Sequence, residues 1–181
     1  MITSYNFSQL LSRHNSAIAF GRSVDIKRGN RCAMVMGIAL HLYPRKTRGE
    51  TTMRDLANSP EYKYKNMAKM GLAVLVGEKY DESVASFDQP FMDKFYVKAK
   101  DLAAQMKDRF GPPDFRGNGP EFLKSPTRGK MGVMYLGGFW HEGTGDHIDL
   151  WDGSRLNITG TPENSRKEIS ASKVIWLWAV R

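Results

Sequence analysis

The chain has 181 residues, 41% hydrophobic and 25% charged, with a formal net charge of +8 and a single cysteine, Cys32. This is the size and composition of one globular domain, residues 1–181, long enough to bury a core. One cysteine excludes an intramolecular disulfide and a thiolate-ligated zinc cluster, and no apolar run approaches the roughly 20 residues of a spanning helix, so no membrane insertion is expected.

The positive charge favours an acidic partner: nucleic acid, an anionic membrane or an acidic polymer such as bacterial cell wall. The start MITSYNFSQLLSRHNS has no basic stretch followed by an apolar core. A chain made in the cytoplasm without a secretory signal is therefore expected.

Residues 4–20 predict a helix with Phe7, Leu10, Leu11 and Ile18 near one face. After Gly29-Asn30, CAMVMGIALHLY reads as a buried helix, apolar nearly all round, with Asn30 as its N-cap. Gly37 inside it costs about 1 kcal/mol against alanine and suits close packing. Residues 44–65 form an irregular basic segment. In DKFYVKAKDLAAQMKDRF, residues 93–110, Phe95, Leu102, Met106 and Phe110 recur at helical spacing, and Gly111-Pro112-Pro113 ends the run. The glycines and prolines of GPPDFRGNGPEF predict a loop. After residue 130, KMGVMYLGGFW, HIDLWDG and KVIWLWAVR read as strands, and TGTPENSRKEIS as loop or short helix. Helices followed by antiparallel strands make an α+β pattern.

Cys32 stands at the start of the second helix, where free N–H groups and the helix dipole favour a thiolate and could hold an oxyanion. Lys27, Arg28 and Arg31 add positive charge. Otherwise a lone cysteine is a small buried hydrophobe. Of the four histidines, His14 and His41 read as surface or core-edge residues and His141 as a solvated turn residue. His147 lies on a strand with Asp149 two positions on, on the same face. A cysteine at an early helix start and a histidine on a late strand form the chain order of papain-like hydrolases. For the group that orients the imidazole, Asn157 is placed well if residues 147–152 and 156–159 pair across Asp152-Gly153, a common hairpin turn. Asp149 and Asp152 compete for that role.

Two rival readings accompany this one. His141, Glu142, Asp146, His147 and Asp149 could ligate a hydrolytic metal, although their spacing fits no tight motif. The basic clusters at 27–31 and 45–48, with Tyr62, Tyr64, Trp140 and Trp151, could bind nucleic acid, although no recognition signature is present.

GNRCAMVMGIAL and GDHIDLWDGSRL resemble the fourth family of type VI secretion amidase effectors. These bacterial toxins carry an N-x-C-A helix start and a later G-H-I-D-L-W-[ND]-G-S-R-L segment, and KVIWLWAV resembles their closing strand. The resemblance implies a papain-like fold of the NlpC/P60 type, with N-terminal helices packed on a C-terminal antiparallel sheet. It implies hydrolysis of the peptidoglycan stem peptide between D-glutamate and meso-diaminopimelate, with Cys32 as nucleophile and His147 as base. The family's third residue is an aspartate soon after S-R-L. Here SRLNIT has none, and Asn157 is the nearest polar substitute.

The expected catalytic set is therefore Cys32, His147 and Asn157, with Asp149 and Trp151 on the substrate and no metal or cofactor. The implied partners are the stem peptide, the type VI secretion apparatus and a cognate periplasmic immunity protein, with no nucleic acid. The implied place of action is the periplasm of the target bacterium.

Overall fold

The computed structural model describes residues 1–23, 31–44, 96, 98–138, 145–157 and 160–180. Its helices are α1 (Phe7–Ser23), α2 (Arg31–Leu40), α3 (Ala99–Phe110), α4 (Gly119–Lys124) and α5 (Pro162–Ala171), with a 3-10 turn at Pro126–Gly129. Its strands are β1 (Phe115–Gly117), β2 (Gly132–Gly137), β3 (Asp146–Trp151) and β4 (Val174–Ala179). The strands form one antiparallel sheet in the order β1-β4-β2-β3, so β3 is at the edge among the described residues. Among the described residues no helix is long and apolar enough to cross a membrane.

The period of two along the strands divides the core. Val133 and Tyr135 of β2, Ile148 and Leu150 of β3 and Trp178 of β4 join α1, α2 and α3 in one buried cluster. The alternate residues Met134, Leu136, Trp151, Ile175 and Leu177 join Phe122 of α4 and Ile169 of α5 in another. Helices cover both faces of the sheet, as expected for a strand set with apolar residues at successive positions.

The first helix starts later than expected, and its buried stripe is Phe7, Leu10, His14 and Ala17. Leu11 and Ile18 are only partly buried. His14, read from sequence as a surface or core-edge residue, occupies the centre of the stripe. In α2, Cys32 to Met36 and Ala39 to Leu40 are buried, as the apolar run predicts. A Cβ on Gly37 would lie 3.2 Å from the Leu42 carbonyl oxygen, so this glycine admits the chain as it folds back after α2. The proposed cap Asn30 and the basic segment 45–65 lie outside the described residues.

The expected helix in 93–110 begins only at Ala99 and buries Leu102 and Met106. Gly111 ends it with φ 82°, a conformation suited to glycine. Phe95 lies outside the described residues. The expected loop GPPDFRGNGPEF instead contains β1 and the start of α4. Asn118 accepts from the Glu121 N–H at 3.0 Å while the Glu121 carboxylate accepts from the Asn118 N–H at 3.0 Å, a reciprocal cap that begins a helix. Gly119 lies directly against the Ile169 carbonyl, where a Cβ would overlap backbone. Gly119→Ala should therefore push α4 from α5 and cost about 2 kcal/mol of stability, measurable as a lower denaturant midpoint at unchanged m-value.

Candidate active site

Two elements present the reactive groups. Cys32 is the second residue of α2 and is 6% exposed. Its amide belongs to the first helical turn, whose N–H groups have no carbonyl partner within the helix. His147 and Asp149 stand two apart on β3, opposite Leu136 and Met134 of β2. The pleat puts both on one face of the strand.

His147 stands beside the Cys32 side chain and Asp149, both of which act on its charge, and its Nε2 lies 3.7 Å from Asp149 Oδ2. Burial alone would lower the pKa of this imidazole. The negative charges of Cys32 and Asp149 outweigh burial and push it up to about 10. The ring is thereby held as an imidazolium at neutral pH.

Asp149 is fully buried. Its Oδ1 accepts from the Leu150 N–H at 2.7 Å and lies 3.3 Å from Nε2 of His14, also fully buried. Burial holds the His14 imidazole below its ordinary pKa, against the pull of Asp149. Behind His14, the Asn157 amide nitrogen lies 3.0 Å from His14 Nδ1 and 3.0 Å from Asn15 Oδ1. Glu168 of α5 faces the same pair. Burial raises its carboxyl pKa, which the His147 charge lowers and the Asp149 charge raises further.

The structure thus joins Cys32, His147 and Asp149. A thiol beside an imidazole, with a carboxylate on the other side of the ring, is an arrangement for nucleophilic attack on an acyl carbon. Asn157, expected beside His147, instead spends its amide hydrogens on His14 and Asn15. The expected turn does form in part: Trp151 bridges Leu156, the Asn157 N–H donates to the Leu150 carbonyl at 2.9 Å, and Gly153 has φ 93°. That pairing carries Asn157 to α1. Asp152 stabilises this turn, accepting from the Ser154 N–H, the Ser154 hydroxyl and the Arg155 N–H, each at 2.8 Å.

The two residues expected against substrate are inside the protein. Asp149 is committed to the histidines. Trp151 is 3% exposed, packs edge-on to Phe122 and donates its indole N–H to the Arg128 carbonyl at 2.7 Å. Position 151 shares the face of His147 and Asp149 but lies at the end of β3, within the cluster of Phe122 and Ile169 beneath α4 and α5. His141 and Glu142, needed for the metal reading, lie outside the described residues. Sequence reasoning missed His14, although its spacing from Phe7, Leu10 and Ala17 places it on the buried stripe of α1.

The high His147 pKa has a kinetic consequence. A leaving amine needs the imidazolium proton, which is retained below about pH 10. Single-turnover rates should therefore persist through neutral and mildly alkaline pH and fall as pH rises through about 10. A fall centred near the ordinary histidine value would contradict this electrostatic arrangement.

Several solved structures are similar to this fold. The effector Tae4 of Enterobacter cloacae, in its complex with Tai4, superposes with TM-score 0.55 at 14% identity, over 97% of this chain and 98% of that one. The effector Tae4 of Salmonella typhimurium, in complex with Tai4 of Enterobacter cloacae, gives TM-score 0.53 at 15% identity, over 97% and 99%. The α+β, papain-like NlpC/P60 type of fold expected from sequence is the one observed. No curated protein is a significant sequence match. Residues 28–178 match the family described as Type VI secretion system (T6SS), amidase effector protein 4. The match spans both Cys32 and the β3 strand that bears His147, and the chain belongs to this family of antibacterial peptidoglycan amidases, effectors secreted by the type VI system to act in the periplasm of target cells.

Proposed function

We propose that this amidase, a single domain over residues 1–181, cleaves the γ-D-glutamyl–meso-diaminopimelate bond of the stem peptide through Cys32, His147 and Asp149. The observation that carries the assignment is His147 itself, set between Cys32, which acts on its charge, and the Asp149 carboxylate 3.7 Å from its Nε2. The Cys32 thiolate attacks the γ-glutamyl carbonyl carbon, and N–H groups at the start of α2 receive the oxyanion. The imidazolium of His147 protonates the diaminopimelate amine as the C–N bond breaks, leaving a thioester. His147, now neutral, takes a proton from water, whose oxygen attacks the thioester. Cys32 departs as thiolate and the glutamyl carboxylate is released.

Asp149 takes the orienting role that the family gives to an aspartate after S-R-L. This reading needs no cofactor. The net charge of +8 draws the enzyme to the anionic wall. The relatives' complexes with Tai4 support a cognate immunity protein.

Digestion of purified sacculi, with products identified by mass, tests this reading. New free diaminopimelate amino groups and glutamyl carboxylates are expected, blocked by thiol alkylation and indifferent to chelators. Chelator-sensitive, alkylation-resistant release would support the metal alternative instead. Salt-sensitive nucleic-acid binding without muropeptide release would support a binding module.

A further inference from the structure

Behind the reactive pair lies a polar chain that the hydrolytic steps do not use, running from exposed Asn15 through half-buried Asn157 to buried His14. We propose that His14 is a positioning residue, which donates from Nε2 to Asp149 and so keeps the other carboxylate oxygen turned to His147, with Asn157 setting its tautomer. This rests on the Cys32–His147–Asp149 reading above.

The argument starts from donors and acceptors. The Asn157 amide nitrogen donates to Asn15 Oδ1 at 3.0 Å. The same nitrogen lies 3.0 Å from His14 Nδ1. An NH2 group requires an acceptor, so Nδ1 carries no hydrogen. A neutral ring then has its proton on Nε2, which is 3.3 Å from Asp149 Oδ1. The pair is within reach but not aligned as a hydrogen bond in the free enzyme, and catalytic contacts often align only when substrate binds.

The ring is well placed to stay neutral. His14 is fully buried, burial depresses its pKa, and the charge of His147 depresses it further. Asp149 and His147 face it from β3, with Asn157 at its Nδ1. Glu168 of α5 interacts with that same Asp149–His147 pair.

Neutrality matters. A charged His14 would compete with His147 for the single negative charge of Asp149. A neutral donor fixes the carboxylate and leaves its charge to the imidazolium. The Leu150 N–H, 2.7 Å from Oδ1, is the second donor on that oxygen. Two donors on Oδ1 define the carboxylate plane, which leaves Oδ2 for His147 Nε2 at 3.7 Å.

Two amide substitutions separate positioning from mere filling of space. Glutamine reaches the Nε2 position and can donate to Asp149. Asparagine ends near the Nδ1 position and cannot. His14→Asn should lower kcat about 10- to 100-fold, with KM changed less than about two-fold, and move the alkaline fall in activity to lower pH. His14→Gln should recover kcat to within about three-fold of the wild type. Equal activity of the two variants, or an unshifted pH profile in His14→Asn, would overturn the proposal.

A measurement on the wild-type protein does not depend on either variant folding. Nitrogen-15 imidazole spectra at neutral pH should show His14 protonated at Nε2 only. A cation, or a ring protonated at Nδ1, overturns it equally. Retained activity in Cys32→Ala would instead sink the underlying amidase assignment. Inactive Cys32 and Asp149 variants beside unaffected His14 variants would sink this inference alone.

Discussion

Cys32→Ala is expected to reduce muropeptide release by at least about 10⁴-fold, with the protein still folded. The substitution removes one sulfur and no other group of the site. The start of α2, the His147–Asp149 pair and the buried contact of His14 all remain. Cys32 is 6% exposed within the core cluster shared by α1, α2 and α3, so a small cavity opens. That should cost about 1 kcal/mol and lower the melting temperature by about 2–4 °C. Loss of activity with this small thermal shift identifies the sulfur as the nucleophile. Retention of a tenth or more of wild-type activity would exclude a thioester route.

Asp149→Asn should be nearly as damaging, lowering kcat by about 10³-fold. The direction follows from the donors around this side chain. Oδ1 receives the Leu150 N–H at 2.7 Å and lies 3.3 Å from His14 Nε2. In the asparagine variant those contacts select the carbonyl oxygen for that position. The NH2 group must then face His147 Nε2, which can meet it only without a proton. The imidazolium is disfavoured and the alkaline fall in activity should shift to lower pH. Asn157→Ala, which leaves the carboxylate in place, should cost much less. If Asp149→Asn kept kcat within about three-fold while Asn157→Ala lost it, Asn157 would be the orienting group after all.

Much of this arrangement was legible in the residue pattern. Apolar and aromatic residues at successive positions located β2, β3 and β4, and an apolar run broken by Gly37 located α2. The pairing of His147 with Asp149 followed from the two-residue period of a strand. The errors also have physical causes. Glycine and proline around Asn118 suggested loop, yet Asn118 and Glu121 form a reciprocal helix cap and Gly119 permits contact with Ile169.

His14 was read as a surface or core-edge residue, when the stripe of Phe7, Leu10 and Ala17 places it in the core. Trp151 was expected on the substrate, but it lies at the end of β3, where Phe122 of α4 and Ile169 of α5 cover it. The role of Asn157 depended on which element approached the turn after β3. That element is α1, and no local pattern near Asn157 reveals a helix from the other end of the chain.

The contact between Asn157 and His14 joins residues 143 positions apart. Closing so long a loop is entropically slow, and contacts of this kind tend to form late. The sheet carries Trp151, Trp176 and Trp178, so its assembly can be followed by fluorescence while α1 is still undocked. On refolding, fluorescence should recover before hydrolysis does. The chain would therefore acquire its toxicity in the last step of folding, when its first helix closes over the histidine strand.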